Sequence, residues 1–194
     1  MDTHRTPKPT RRLRIDLTDL EEALEGGPDR PDYFLDLETG RVIVITEDVR
    51  SDYRALKREI GSVEASQWEA AFAAAMEAEI PEWEQGLMRD IEFVEKGFPE
   101  TCIRVPAADS TEGFQDMEAF IETVPAQRLR GSLERAIGGR RPFRAFKDVL
   151  AGDPPERERW FKFKQALLRE RALEWLAEEG IELLSGSDPA APAG

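Results

Sequence analysis

Histidine is almost absent: the one imidazole, His4, lies in "MDTHRTPKPTRR" (1–12). That stretch has prolines, cations and no apolar pattern, and reads as a disordered tail. Ser-His or Cys-His nucleophilic catalysis would need a positioned histidine that this chain does not offer. Cysteine is as scarce. The single Cys102 cannot close an intramolecular disulfide, and beside Ile103 on a strand-like run it reads as a buried structural thiol. So few Cys and His exclude a zinc ligand set. No apolar run approaches the roughly 20 residues of a membrane helix, and no export signal is legible, so the expectation is a cytoplasmic protein away from membranes. The Gly138-Gly139 pair has neither P-loop lysine spacing nor the dinucleotide fingerprint. No cofactor and no metal are expected.

What the chain does have is charge, unevenly spread over 194 residues of net −13. Residues 1–124 hold 14 Lys and Arg against 29 Asp and Glu, net −15, whereas residues 125–175 hold 13 against 7, net +6. A strongly acidic whole disfavours non-specific attraction to DNA or anionic lipid, yet it carries a basic island. The plainest expectation is that the island pairs with the acidic half of its own chain.

Along the chain, Asp16 or Thr18 can cap a short helix with Leu17, Leu20 and Leu24 that Gly26, Gly27 and Pro28 end. "DYFLDLETGRVIVIT" predicts a β-hairpin over 33–46 with a three-residue loop, Glu38-Thr39-Gly40, and a positive φ at Gly40. The run Val42 to Ile45 is apolar on both faces, which predicts an interior strand partnered by residues 101–105. Between them lie two helical patterns, one with Trp68, Phe72 and Met76, the other with Trp83, Leu87, Ile91 and Val94. Their many glutamates read as a solvated face. Helices follow with Phe114 to Val124, with Leu129 to Ile137 and, after Pro142, with Phe143, Phe146 and Leu150. A last helix starts at an Asp153-Pro154-x-Glu156 cap and runs to about Glu179, before a second disordered tail at 184–194. The fold class is α+β: a small antiparallel sheet with helices in residues 13–106, packed against a helical lobe in 110–183.

The stretch "GGRRPFRAFKDVLAGDPPERERWFKFK" (138–164) concentrates cations and aromatics. On the last helix, Trp160, Phe163 and Leu167 fall on one flank of the apolar arc, and Phe161, Leu168, Ala172, Trp175 and Leu176 on the other. Lys164 and Arg171, seven apart, fall between the flanks. One reading is that their stems cover apolar surface while their charges reach Asp148 or carboxylates of the first half. The other is that Lys164 and Arg171 join Arg140, Arg141, Arg144 and Lys147 in a site for an acidic group. Phe143, Phe146, Trp160 and Phe161 could stack on bases, although aromatics at helical spacing are more often core.

Several segments carry a resemblance: "YFLDLETGRV", "PEW", "CIRVP", "MEAFIETV", "RPFRAFKDVL" and "RWFKFKQALLRERALEWLAEEGIE". In this order, from about Leu13 to Glu182, they resemble a bacterial group, uncharacterised protein family 0158. Its most specific marks are represented by Phe143, Arg144, Phe146, Lys147, Asp148, Trp160, Phe163 and Trp175. Residues 47–80 match least. The resemblance implies a small cytosolic bacterial protein of mixed α and β structure, with no activity to carry over.

Asp36 and Glu38, two apart at a strand end, would point to one face, as glycosidase pairs or magnesium ligands do, but two carboxylates at a hairpin mouth are also ordinary turn composition. The sequence therefore favours a non-catalytic regulatory or adaptor protein whose basic aromatic lobe receives an acidic group from a protein partner or a small anion. Its alternatives are a nucleic-acid-associated factor using the same cations on phosphates, and a carboxylate- or magnesium-dependent hydrolase centred on Asp36.

Overall fold

A computed structural model describes residues 10–27 and 30–184. His4 and most of both expected tails lie outside the described residues. The fold class is α+β, with eight helices and five short strands among the described residues. No helix among them is long and apolar enough to cross a membrane.

The first tail ends earlier than expected, because β1 (Arg11–Leu13) pairs with β5 (Ile181–Leu183) after the last helix. Arg11 N donates to the Gly180 carbonyl at 2.9 Å and Leu184 N to the Leu13 carbonyl at 2.9 Å. Neither three-residue run carries enough alternation to announce a strand, and the pairing is a contact between the two ends of the sequence.

The chain forms two compact units, which it visits in turn. The first unit gathers Arg11 and Arg12, residues 17–27 and Pro106–Glu182; the second gathers Leu13–Asp16 and residues 30–105. Helix α1 (Leu17–Leu24), expected within the N-terminal lobe, thus belongs with the C-terminal helices.

In the second unit, β2 (Asp32–Asp36) lies between β3 (Val42–Ile45) and β4 (Cys102–Arg104), antiparallel to both. Leu35 faces Val42 on one side and Ile103 on the other. This corrects the expected order: the interior strand is "DYFLD", while β3 is an edge whose Val44 is 40% exposed. Four consecutive apolar residues in β3 cover one buried face, Ile43 and Ile45, and leave Val44 to solvent. The hairpin loop also has four residues, 37–40, since Asp36 N bonds to the Arg41 carbonyl and Leu37 N turns to Thr101 on the β4 side. Gly40 has φ of 78°, and a β-carbon there would stand 2.3 Å from the Arg14 carbonyl oxygen, so the loop requires glycine.

Three helices, not the expected two, fill the chain between β3 and β4: α2 (Glu47–Ile60), α3 (Ala65–Glu79) and α4 (Glu82–Gly97). Thr46 caps α2 by accepting from Val49 N at 3.3 Å. Val49, Tyr53 and Leu56 of α2 join Phe72, Met76, Met88, Ile91 and the sheet residues Phe34, Ile43 and Cys102 in one core.

The first unit is built from α1, α5 (Ser110–Thr123), α6 (Gln127–Ile137), α7 (Pro142–Ala151) and α8 (Pro154–Glu178). Helix α1 packs on α8, α6 packs on α7, and α5 touches α6, α7 and α8. Its core is aromatic: the Phe120 ring meets Phe146, Trp160 and Phe163 at centroid separations of 6.2, 5.2 and 5.5 Å. The first two pairs are edge-to-face and the third is tilted, and edge-to-face pairs at such distances add to the burial term. Phe161, placed on the apolar arc by periodicity, is 56% exposed.

Candidate functional site

On α8, Trp160, Leu168, Ala172 and Leu176 are buried. Together with Lys164 they form one row of residues four apart, the ridge that a helix presents to its neighbours. Lysine in such a row cannot be packed as leucine would be. At that point the first unit has a cavity of about 470 Å³, lined by residues of α5, α7, α8 and the turn after α1.

Its apolar wall is Met117, Phe143, Phe146, Trp160 and Leu168. Glycines make the cavity's geometry achievable: a β-carbon on Gly26 would overlap the Ala108 carbonyl oxygen at 1.8 Å, and one on Gly113 would crowd the Phe143 ring at 3.1 Å. The turn is also pinned by Ala108 N, which donates to the Leu24 carbonyl at 3.0 Å.

Six charged side chains line the cavity: Lys147, Lys164, Arg171, Glu25, Asp109 and Asp116. Three of them are committed. Arg171 donates from both terminal nitrogens to Asp116, at 2.9 and 2.5 Å, and Asp116 is only 5% exposed. This fork raises the guanidinium pKa above its ordinary value, against the opposing effect of burial. Asp109 is the N-cap of α5, where its Oδ1 accepts from Thr111 N and Glu112 N at 2.7 and 2.8 Å, and the Glu112 side chain accepts from Asp109 N in return. Those backbone bonds hold its carboxyl below the usual aspartate range.

Lys164 bonds to Glu25, whose side chain is half exposed. Lys147 lines the cavity with no ion pair among the described residues. The candidate cations therefore separate. Lys147, Lys164 and Arg171 share the cavity, while Arg140, Arg141 and Arg144 lie outside its lining. Arg144 is 3.8 Å from Asp148, a loose contact one turn along its own helix, and Arg140 and Arg141 form no ion pair among the described residues. The expected pairing of the island with the acidic half thus holds for Lys164 and Arg171, and for Arg169, which meets Glu21 at 3.3 Å. It does not extend to Arg140, Arg141 or Lys147. Arg141 instead stands in the left-handed region, φ 57°, as the N-cap of α7.

Of the four aromatics that could stack on bases, Phe146 and Trp160 are spent in the core, and Phe143 and Phe161 are exposed. Asp36 is buried, with Oδ1 accepting from Glu38 N and Thr39 N at 2.8 and 3.2 Å and Oδ2 accepting from the Thr39 hydroxyl at 2.6 Å. That is the bonding of a turn-forming aspartate, and Glu38 is exposed beside it. No cluster of three metal-ligating side chains occurs among the described residues.

Glu25 and Asp116, the two counter-ions, could not be singled out from sequence, because ion pairs 139 and 55 residues apart leave no periodic trace. One glutamate of the expected solvated face is instead buried: Glu92 of α4, 8% exposed, accepts from the Tyr53 hydroxyl, the Trp68 indole and Lys96 in the second unit. Burial alone would push its pKa up, but these bonds outweigh burial and hold it low.

The chain belongs to the uncharacterised protein family UPF0158, whose family model matches residues 79–192. It is similar to UPF0158 protein PA5073 of Pseudomonas aeruginosa, 25% identical over 181 residues that cover 92% of each chain. No solved structure matches. The cavity's α5, α7 and α8 residues fall inside the matched segment, whereas Glu25 and the turn after α1 precede it.

Proposed function

We propose that this protein is a non-catalytic regulatory or adaptor protein that uses the cavity between α1, α5, α7 and α8 to receive an acidic group. The observation that carries the reading is Lys147: it lines the cavity beside exposed Phe143 and is the cation there without an ion pair among the described residues. An unpaired ammonium beside an apolar wall is attractive to an anion and imposes little cost while empty, because its charge still reaches water. The volume lies in the range of small-ligand pockets and also accommodates an acidic side chain of a protein partner.

The nucleic-acid alternative is less well supported. Two of the four aromatics it would stack on are core residues, and the remaining cations do not gather into one groove. The hydrolase alternative draws little support from Asp36, whose oxygens are engaged in the turn.

The test is thermal unfolding of the full chain with an Asp/Glu-rich dodecapeptide, a panel of small organic anions, and a single-stranded DNA oligomer, at 50 and 200 mM salt. An acidic ligand at about 100 times its Kd stabilises by about 2.7 kcal/mol. The expected result is stabilisation by an acidic ligand that Lys147→Glu abolishes. Stabilisation by the oligomer alone, collapsing between the two salts, would transfer the function to nucleic acid.

A further inference from the structure

Resting on that reading, we infer the ligand class: a small monocarboxylate with an apolar body, whose acid displaces Glu25 from Lys164. Four observations converge. The wall formed by Met117, Phe143, Phe146, Trp160 and Leu168 calls for an apolar body. The guanidinium fork, the group suited to a phosphate, is not on offer, because both terminal nitrogens of Arg171 are bonded to Asp116. What remains for an acid is ammonium, from Lys147 and Lys164, a point charge that needs no bidentate anion and leaves the choice of acid to the surrounding wall and carboxylates. And the lining carboxylate of Asp109, held ionised by its cap bonds, repels a second negative charge on a ligand.

Glu25 shows what such an acid would do. Its carboxylate already occupies the Lys164 ammonium from the edge of the cavity. The backbone behind it is fixed, since Glu25 N donates to the Glu21 carbonyl and Leu24 accepts from Ala108. Release of Lys164 therefore needs only a change of the Glu25 side-chain rotamer into solvent, which its half-exposed position permits. Glu25 is an internal competitor: it keeps Lys164 neutralised in the empty state and lowers the affinity for any incoming acid by the fraction of time it is bound.

The experiment is isothermal titration of the full chain with 4-phenylbutyrate, its uncharged amide, phenyl phosphate and the acidic dodecapeptide, with folding of each variant checked by amide NMR spectra. The expected result is one-to-one binding of 4-phenylbutyrate, weaker binding of phenyl phosphate, none of the amide, and loss of binding in Lys164→Met and Lys147→Met. Glu25→Gln, which leaves both lysines in place, binds 4-phenylbutyrate about fivefold more tightly. Equal binding of the amide, tighter binding of phenyl phosphate, or an unchanged affinity in Glu25→Gln overturns the inference. Binding of the peptide or of phenyl phosphate through Lys147 without binding of 4-phenylbutyrate overturns it while leaving the broader function in place; binding of none of the three acids removes both.

Discussion

Arg171 and Lys164 present the same sequence problem, a cation within an apolar arc, and the molecule solves it in two ways. Asp116 is 5% exposed and meets Arg171 through two parallel bonds, whereas Lys164 has one partner, Glu25, at an exposed edge. A buried ion pair contributes little net stability against an apolar replacement, but breaking it strands a charge. Arg171→Met should accordingly lower the unfolding free energy by about 3 kcal/mol in urea denaturation. Asp116→Leu combined with Arg171→Met should recover most of the loss, because no buried carboxylate is then left bare. Lys164→Met should change stability by no more than about 1 kcal/mol, as exposed pairs do. A single Arg171→Met variant as stable as the parent would mean that Asp116 finds solvent or another donor.

The start of α5 borders the cavity, and its capping box gives this element a definite acid sensitivity. The Asp109 carboxyl is held below its ordinary pKa chiefly by the backbone amides of Glu112 and Thr111. A depressed folded-state pKa means that its contribution is present in full above the unfolded aspartate value, about 3.9, and is lost as pH falls through the lower, folded value. Asp109→Asn keeps an N-cap acceptor but does not titrate, so its urea midpoint should decline less than the parent's between pH 4 and pH 2. Parallel acid limbs for the two proteins would sink the assignment. At this same scale lies most of what sequence could and could not disclose. The hairpin, Gly40, the caps at Asp153 and the helices after Ser110 were legible because each is specified locally. Helix α2 carries its own signal, Val49, Tyr53, Leu56 and Ile60 behind a Thr46 cap, but four apolar residues are hidden among ten polar or small ones. The β1–β5 pair and the sheet order were not legible, since both depend on which distant run supplies the neighbour. The cavity follows the same rule: Lys147, Lys164 and Arg171 stood out by type and phase, while the residues that neutralise or confine them, Glu25, Asp116, Gly26 and Gly113, did not.

At the level of the whole molecule, the boundary between units does not coincide with any single cut in the sequence. The unit that holds the cavity takes α1 from residues 17–24 and the remainder from after Pro106. Helix α1 buries Leu17, Leu20, Ala23 and Leu24 and packs on α8. Each fully buried leucine contributes about 1.5–3 kcal/mol, so an α8 stripped of α1 forfeits an amount comparable to the total stability of a small domain. A fragment spanning residues 106–184 should therefore keep much of its helical circular dichroism yet unfold without a cooperative transition and bind a hydrophobic dye. The repair is testable because the turn after α1 already lies against the start of this segment, with Leu24 bonded to Ala108 and Gly26 pressed on the same residue. Joining residues 17–27 to residue 106 through a short Gly-Ser linker should restore a sharp urea transition. Cooperative unfolding of the bare fragment would show that α1 is dispensable to this core, and failure of the linked form to recover would show that packing of α1 on α8 is not what the fragment lacks.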